Sequence, residues 1–413
     1  MELKIHQFFN DNNRNINIKK TGFDYEFGLC KKHLELFGIW PDEKNNKIYK
    51  NLGLIQALII FIFLELPRIA AIFLLKNTAD IDILIQILSS HFPILMSIAK
   101  FFVMWLKRKE FAEIIKFIKK NWQIEIPDEE YKVMMNFAKY SHFISIGSIA
   151  LGWSASISGL IVQIWYNTES HLMKNLDSRL SINLLWVIYL PWSTKNFTSY
   201  SLTFLLQFYT SVLVAVMYNL FNSFVAILVL HFCGQICCIK IMLNFSIETP
   251  NNFFVNIKNI AKRHIKLIKI TTQLNESLKM IILLELMACT ATMCFQNYST
   301  MNMVFEGKNN HVFQILFSTT CQLMVLGNLY LYCWTGHQLT LCSSQIGDAI
   351  YESNWTSLRS VEIKLLNIIA FKKFTPLKIS AGGFFDMSLD LFLLVIKTSL
   401  SYLSVLLAMK KRK

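Results

Sequence analysis

Seven long apolar segments divide this chain of 413 residues, 54% of which are hydrophobic. About 20 consecutive apolar residues allow a helix to cross the hydrocarbon core of a bilayer, so run length separates a membrane bundle from a soluble core. The predicted spans are residues 52–75, 81–106, 141–166, 201–230, 280–304, 312–332 and 385–407. The sequence therefore predicts an all-α membrane protein with seven transmembrane helices.

Lysine and arginine are distributed unequally between the polar segments that alternate along the chain. If the amino terminus lies inside, the inner segments carry 29 of these residues and the three outer loops carry five. Cytoplasmic segments of membrane proteins hold the excess of positive charge. The amino terminus is therefore predicted to be cytoplasmic and the carboxyl terminus extracellular, although the basic cluster at 410–413 then falls outside.

This topological pattern also explains the net charge of +14. No basic patch interleaves with a soluble aromatic platform, so nucleic-acid binding is not expected. The sequence contains no GxGxxG, Walker, HExxH or GxSxG motif, which argues against an enzyme. Cys233, Cys237 and Cys238 fall on one helical turn, but no set of histidine and acidic residues with the spacing of a metal site accompanies them, so neither a metal site nor another cofactor is expected.

The chain is predicted to have four parts. Residues 1–51 form a cytoplasmic amino-terminal arm, and residues 52–230 form the first four transmembrane helices with a ligand pocket in their outer halves. Residues 231–279 form a cytoplasmic helical anchor segment. Residues 280–413 hold the last three helices and include a pore helix at 385–407.

Three local patterns add detail to these parts. Apolar residues recur at helical spacing over 257–274 among lysines and arginines, which predicts an amphipathic helix that packs below the bilayer or lies on anionic lipid. The apolar patch at 34–41 must dock on the bundle or on the membrane face. Asn196 begins an Asn-Phe-Thr triplet in an outer loop and is the candidate glycosylation site.

Charged residues inside the spans mark function by default because each is costly in the membrane unless it is paired. Glu65 and Arg68 are three residues apart, which favours mutual pairing over an ion path. Lys100 is close enough to the inner end of its span to extend its side chain to the membrane surface. Asp386 and Asp390 lie at the inner end of the last span, where either pairing with basic segments or a cation-concentrating vestibule is consistent with the sequence.

The outer halves of the spans are apolar and aromatic and carry a few hydroxyl groups. Each of these residues alone is more typical of core packing than of ligand contact. Together they match a pocket for a small volatile apolar molecule, in which shape and one or two hydrogen bonds fix the orientation. The candidate ligand-binding residues are Trp153, Ser154, Ser156, Phe204, Phe208, Tyr209, Phe313 and Phe317.

Five motifs occur in a fixed order along the chain. They are FGIWP at 37–41, LYCWTG at 331–336, AIYESNW at 349–355, PLKISAG at 376–382 and KTSLSY at 397–402. With these motifs the chain resembles the insect odorant receptors over nearly its whole length. The inverted topology deduced from the basic residues agrees with that of the family.

The resemblance implies the ligand-tuning subunit of a nonselective cation channel gated by small volatile odorants. Such a subunit would assemble with the family's shared co-receptor, as a heterotetramer surrounded by membrane lipids in the plasma membrane of sensory-neuron dendrites. Counting from Tyr402, the family's hydrophobic gate falls on Val405 and the polar position just outside it on Ala408. The co-receptor carries glutamine at that outer position, so the polar ring would come mainly from partner subunits. The loop at 107–135 is too short for the co-receptor itself.

Three other classes fit the sequence less well. A G-protein-coupled receptor would have the opposite orientation and would carry Asp-Arg-Tyr and Asn-Pro-x-x-Tyr sequences, which are missing here. An insect gustatory receptor would carry Thr-Tyr followed by Gln-Phe in its last helix, where this chain has Ser401 and Tyr402 without Gln-Phe. A secondary transporter would show inverted repeats with broken helices.

Overall fold

The computed structural model describes residues 22–41, 47–75, 81–124, 126–169, 180–181, 184–186, 188–194, 196–248, 253–306 and 312–411. Most of these residues are helical. The elements are α1 (Gly22–Leu36), α2 (Lys47–Ile60), a π-helical turn (Phe61–Glu65), α3 (Leu66–Leu75), α4 (Ile81–Leu106), α5 (Arg108–Gln123), α6 (Asp128–Glu169), β1 (Leu180–Ser181), β2 (Ile188–Tyr189), α7 (Phe197–Glu248), α8 (Phe253–Glu306), α9 (Val312–Glu352), a 3-10 turn (Trp355–Ser357), α10 (Ser360–Ala370), a second 3-10 turn (Phe371–Phe374), β3 (Ser380–Ala381), β4 (Phe385–Asp386) and α11 (Leu389–Lys411).

The membrane-spanning architecture agrees with the predicted fold class. Six helical segments among the described residues are long and apolar enough to cross a membrane, and α11, with 23 residues, corresponds to the seventh predicted span. The bounds of α4 coincide with those of the second predicted span. We call the end of the bundle that carries β1 and β2 the predicted outer end, and the opposite end the predicted inner end.

Four of the described helices are much longer than one membrane crossing requires. α6, α7, α8 and α9 contain 42, 52, 54 and 41 residues, so the longest extends about 80 Å at roughly 1.5 Å per residue. The helix predicted at 257–274 is part of α8 and continues without a break into the fifth span. Its apolar residues Ile257, Ile260 and Leu274 belong to the main hydrophobic core. This segment therefore packs on the bundle, which is one of the two alternatives predicted for it, and it forms one unbroken helix with the fifth span.

α7 forms the centre of the bundle, where every residue from 213 to 236 is buried. A helix that is apolar on all sides is stable in such a position because neighbouring helices cover its whole circumference. Two of its polar residues are paired with α9. Asn328 Nδ2 donates to Asn219 Oδ1 at 2.7 Å, and the Tyr332 hydroxyl donates to Asn222 Oδ1 at 2.7 Å.

The apolar patch of the amino-terminal arm docks on the bundle rather than on a membrane face. Ile39 and Trp40 are buried, and the Trp40 ring meets the Phe224 ring of α7 edge to face at a centroid distance of 6.0 Å. Gly38 makes the turn that precedes them with φ +66°, a left-handed conformation that glycine adopts without strain. Leu36, which was predicted to be part of the patch, is exposed.

A buried carboxylate holds α1 to two other helices. Glu26 accepts hydrogen bonds from Trp122 Nε1 of α5 at 2.8 Å and from His231 Nδ1 of α7 at 3.0 Å. Both Glu26 and His231 are almost fully buried. The arm is therefore attached by a polar contact as well as by the apolar patch.

The PLKISAG motif forms a hairpin that joins α11 to α8. The Gly382 amide donates to the Lys279 carbonyl at 2.7 Å, and the Ser380 amide donates to Asn275 Oδ1 at 2.8 Å. Gly382 has φ +62°, which favours glycine at this turn. The motif thus has a structural role at the junction of two helices.

This hairpin corrects the prediction for the last helix, which begins at Leu389 and not at residue 385. The chain before Leu389 is held in the hairpin because the Met387 amide donates to the Ile379 carbonyl at 2.9 Å. Asp386 therefore lies in β4 and forms an ion pair with Lys378 at 2.6 Å. Of the two alternatives predicted for Asp386, the structure contains the first, pairing with a basic segment.

The LYCWTG motif also serves helix packing. A Cβ atom placed on Gly336 of α9 would lie 2.6 Å from Met387 Cβ and 2.8 Å from the Met387 carbonyl oxygen. Only glycine allows backbones to approach this closely. α9 therefore contacts the start of α11 directly through Gly336.

Candidate ligand site and pore helix

A buried ion pair links α4 and α8 inside the bundle. Lys100 Nζ lies 3.1 Å from Glu285 Oε2, and the two side chains are 0% and 2% exposed. The Lys100 ammonium also lies 3.7 Å from the centroid of the Tyr218 ring, a favourable cation–π distance. The prediction that Lys100 extends to the membrane surface is therefore wrong, because a carboxylate on the facing helix neutralises it in place.

Glu65 and Arg68 do not form the mutual ion pair that their spacing suggested. Glu65 contacts His91, while Arg68 Nη2 donates to the Ile87 carbonyl at 2.8 Å and to the Ser90 hydroxyl. Each of the two charged side chains therefore has its partner on α4 instead.

Trp186, a tryptophan of the outer loop, packs against Arg68. Its indole Nε1 donates to Ser211 Oγ at 2.6 Å, and its amide donates to Gln207 Oε1 at 3.3 Å. The Arg68 guanidinium lies 5.0 Å from the Trp186 ring centroid, and the Phe317 ring lies 6.2 Å from it. Trp186 therefore joins the first, fourth and sixth spans at the predicted outer end.

Two of the predicted ligand residues, Ser156 and Phe317, lie on neighbouring helices, α6 and α9, and α6 meets Phe317 at Gly159. Ser156 is buried and donates its hydroxyl to the Gly152 carbonyl at 3.1 Å. One turn further along α6, a Cβ atom placed on Gly159 would lie 3.1 Å from Phe317 Cε2. The absence of a side chain at Gly159 thus leaves room for the Phe317 ring.

The other predicted ligand residues are not gathered at this point. Trp153 and Tyr209 are 44% and 47% exposed, and Ser154 donates to the Leu151 carbonyl of its own helix. Phe204 packs with Tyr200 against the small apolar cluster of the outer loop. The roles of these residues in ligand contact remain predictions, as do those of Phe208 and Phe313, which are partly buried.

Sequence reasoning did not single out Trp186, Gln207 or Glu285. Trp186 lies in an apolar stretch of a long polar loop (LLWVIYLPW, 184–192), which was a usable signal. Glu285 was equally visible as a lone acid within the fifth span. Gln207 carried no local signal because its importance depends on Trp186. Ser211 was noted among the hydroxyl groups of the fourth span, but its bond to Trp186 was not predicted.

The proposed gate residues lie on the exposed surface of α11 in the single chain. Tyr402 and Val405 are 59% and 55% exposed, and Ala408, three residues further on, is exposed as well. A spacing of three residues keeps side chains on neighbouring parts of one helical face. This face is available for contact with other subunits or with a pore.

An open groove of about 620 Å³ lies at the predicted inner end. It is lined by the end of α9 and by α10, including Gly347, Tyr351, Trp355, Ile363 and Phe371. Phe317 lies near the opposite end of α9. The groove is thus separate from the predicted ligand residues.

Fold and site together define a multi-pass helical membrane receptor with a polar and aromatic cluster at one end of its bundle. The family model for the seven-transmembrane odorant receptors, "7tm Odorant receptor", matches residues 81–400. The chain belongs to this family, whose members are receptors and not enzymes.

Relatives in this family share limited identity with the chain. Odorant receptor Or2 of Anopheles gambiae is 24% identical over 218 residues, which cover 50% of this chain and 56% of Or2. Odorant receptor 9a of Drosophila melanogaster is 21% identical over 342 residues, or 79% of this chain and 82% of the relative. The odorant receptor coreceptor of Ooceraea biroi is 24% identical over 155 residues, which cover 37% of this chain and 31% of the coreceptor. The match thus spans about half of Or2 and a third of the coreceptor.

The fold matches a solved structure over nearly the whole chain. Olfactory receptor OR5 of Machilis hrabei, in complex with eugenol, superposes with a TM-score of 0.81 and covers 95% of this chain and 100% of its own, at 11% identity. OR5 without that ligand superposes with a TM-score of 0.73. The seven-helix fold is therefore that of an insect olfactory receptor.

Proposed function

We propose that this chain is the odorant-binding subunit of an odorant-gated, nonselective cation channel. In this proposal it assembles with a co-receptor, as a heterotetramer, in the plasma membrane of sensory-neuron dendrites. The observation that carries the proposal is the match of family and fold over nearly the whole chain, to a receptor that was solved with a small volatile ligand. The similarity to a coreceptor supports assembly between related chains.

Currents in transfected cells test the proposal. Cells that express the chain with a co-receptor should show a cation current when a volatile from a broad panel is applied. The same current should persist when G-protein signalling is blocked, and it should be lost in cells that express the co-receptor alone. A current that requires G-protein signalling would exclude a directly gated channel.

The proposed orientation places residues 1–51 and 231–279 in the cytoplasm and the end of α11 outside. The excess of basic residues in the proposed inner segments supports it. Asn196, whose side chain is exposed, is then available for glycosylation. An epitope tag after Lys413 should be stained in intact cells, and a tag at Met1 only after permeabilisation; the reverse pattern would contradict this orientation.

The proposed ligand pocket lies between the second, third, fourth and sixth spans at the predicted outer end, where Gly159 and Trp186 both adjoin Phe317. A ligand that binds there opens the channel only if it binds the open state more tightly than the closed state. Sensitivity therefore depends on the balance between the two states as well as on contacts in the pocket.

Enlarging residue 159 should change ligand preference. Gly159→Leu places a side chain against Phe317, and overpacking of about 1–3 kcal/mol corresponds to a loss of sensitivity of roughly 5-fold to 150-fold for the best ligand. Smaller volatiles should be affected least. Dose–response curves for a broad panel provide the measurement.

Gly147→Leu is the matched control, because a Cβ atom at Gly147 of the same helix meets nothing within 4 Å. Its responses should stay close to those of the wild type. If Gly159→Leu also leaves every dose–response curve unchanged, the pocket is elsewhere.

The proposed gate can be tested separately from the pocket. Val405→Ala should increase the current in the absence of odorant, because a smaller side chain weakens the hydrophobic closure, while the rank order of ligands stays the same. Leu393→Ala, at another exposed position of α11, is the control. A changed rank order in Val405→Ala would show that Val405 contacts ligand and is not the gate.

A further inference from the structure

Arg68 has hydrogen-bond donors that the described part of the protein leaves unused. The side chain is 1% exposed, and Nη2 is its only nitrogen with acceptors, the Ile87 carbonyl and Ser90 Oγ. Nε and Nη1 are buried and have no partner there. A guanidinium has five N–H donors and no acceptor, and buried donors without acceptors are costly. A group that is not part of the chain is therefore expected at this place.

The position of Arg68 connects it to the proposed ligand pocket. The Arg68 guanidinium lies over the Trp186 ring, 5.0 Å from its centroid, and the Phe317 ring lies 6.2 Å from the same ring. Phe317 in turn lies against Gly159. A polar donor thus stands at the edge of an aromatic site, an arrangement typical of pockets in which one polar group orients an apolar ligand.

The local charges select for a neutral ligand. Glu65, three residues before Arg68, is fully buried and contacts His91. The positive charge of Arg68 therefore already has a negative charge close to it. A carboxylate ligand would add a second buried negative charge, which is costly without a further cation. An uncharged acceptor oxygen can accept from Arg68 without disturbing this balance.

We propose that Arg68 is a ligand-binding residue that donates to the carbonyl oxygen of a neutral volatile, such as a ketone, an aldehyde or an ester. The alkyl part of the ligand lies against Trp186 and Phe317. This inference rests on the proposed function and specifies its ligand class. In this proposal Arg68 makes the receptor selective among ligands of similar size and shape.

The first experiment compares ligands on the unchanged receptor expressed with a co-receptor. 2-Heptanone and hexyl acetate are paired with 2-methyl-1-heptene and 1-nonene, which have similar length and no carbonyl oxygen. The carbonyl compounds should gate the channel at concentrations about 10-fold to 100-fold lower, the ratio expected for one hydrogen bond to a charged donor. Equal or greater sensitivity to the hydrocarbons overturns the assignment of Arg68. Currents with other volatiles but none with these four also overturn it. The proposed function fails only if no volatile from a broad panel gates a current.

The second experiment tests the residue itself. Arg68→Met keeps length and apolar contact but removes the donors, so the ratio between the two ligand classes should fall to within about threefold. Arg359→Met, at an exposed arginine at the predicted inner end, should leave the ratio unchanged. If Arg68→Met weakens both classes equally, the residue has a structural role and the inference is wrong.

If Arg68→Met does not reach the cell surface, a further variant tests the same inference. Arg68→Met removes the positive charge close to the buried Glu65, which keeps its contact with His91, and this loss lowers stability. The double variant Glu65→Gln, Arg68→Met removes both charges and should restore surface expression. It should show the same loss of preference for carbonyl compounds. A double variant that retains the wild-type preference overturns the inference.

Discussion

Glu285→Leu should remove most of the receptor from the cell surface. The substitution leaves the Lys100 ammonium buried without its carboxylate partner, and breaking a buried pair in this way costs about 3–5 kcal/mol. The Tyr218 ring supplies only a fraction of this energy. Surface biotinylation and the thermal unfolding of purified receptor in detergent give the measurement, and we expect both surface yield and Tm to fall.

A double variant separates the loss of the ion pair from a loss of packing. Lys100→Met together with Glu285→Leu replaces the pair by apolar side chains, an exchange that is often neutral or stabilising. It should recover most of the surface yield. If Glu285→Leu alone is as stable as the wild type, or the double variant is no better than the single one, the pair does not stabilise the fold.

Trp40→Ala should detach the amino-terminal arm from the bundle. Trp40 is among the largest fully buried side chains, and truncation of a buried tryptophan to alanine costs about 3–5 kcal/mol. Its ring contacts Phe27 of α1 and Phe224 of α7. Limited proteolysis within residues 1–51 should accelerate, and Tm should fall.

Two substitutions serve as controls for this prediction. Trp40→Phe keeps an aromatic ring in the same place and should lose only part of the stability. Leu36→Ala changes an exposed residue of the same arm and should have little effect. Equal proteolysis rates in Trp40→Ala and the wild type would mean that the arm is held by other contacts, such as that of Glu26 with His231.

The positions of the spans could be predicted from sequence because the thickness of the bilayer sets the length of an apolar run. α4 ends at Leu106, where the apolar run of the sequence also ends. The anchor helix could be predicted for a related reason, since its apolar residues recur with the helical period. Both signals are local, and both depend on properties that a single sequence shows directly.

The partners of the buried charges could not be predicted. Lys100 and Glu285 are 185 residues apart, so nothing near Lys100 indicates that a carboxylate faces it. The spacing of Glu65 and Arg68 suggested a mutual pair, but each of them has its partner on α4 instead. Trp186 belongs to the same group, because its position depends on hydrogen bonds to Gln207 and Ser211 in a different element.

The start of α11 was placed too early for a different reason. Residue 385 is apolar and adjoins an apolar run, so hydropathy alone extends the helix to it. The hydrogen bond from the Met387 amide to the Ile379 carbonyl holds this segment in a hairpin instead. The glycines at 382 and 383, both with positive φ, were the local sign of a turn.

The two glycine junctions bear on how such receptors diversify. Gly336 and Gly382, which lie in motifs that identify the family, secure the attachment of α11 to α9 and α8 and are remote in sequence from Gly159, Arg68 and Trp186. Substitutions in the proposed pocket can therefore accumulate without disturbing the attachment of α11 to its two neighbouring helices. A genome could duplicate a gene of this kind and alter the proposed pocket in single steps, while every copy kept the same arrangement of its last helix.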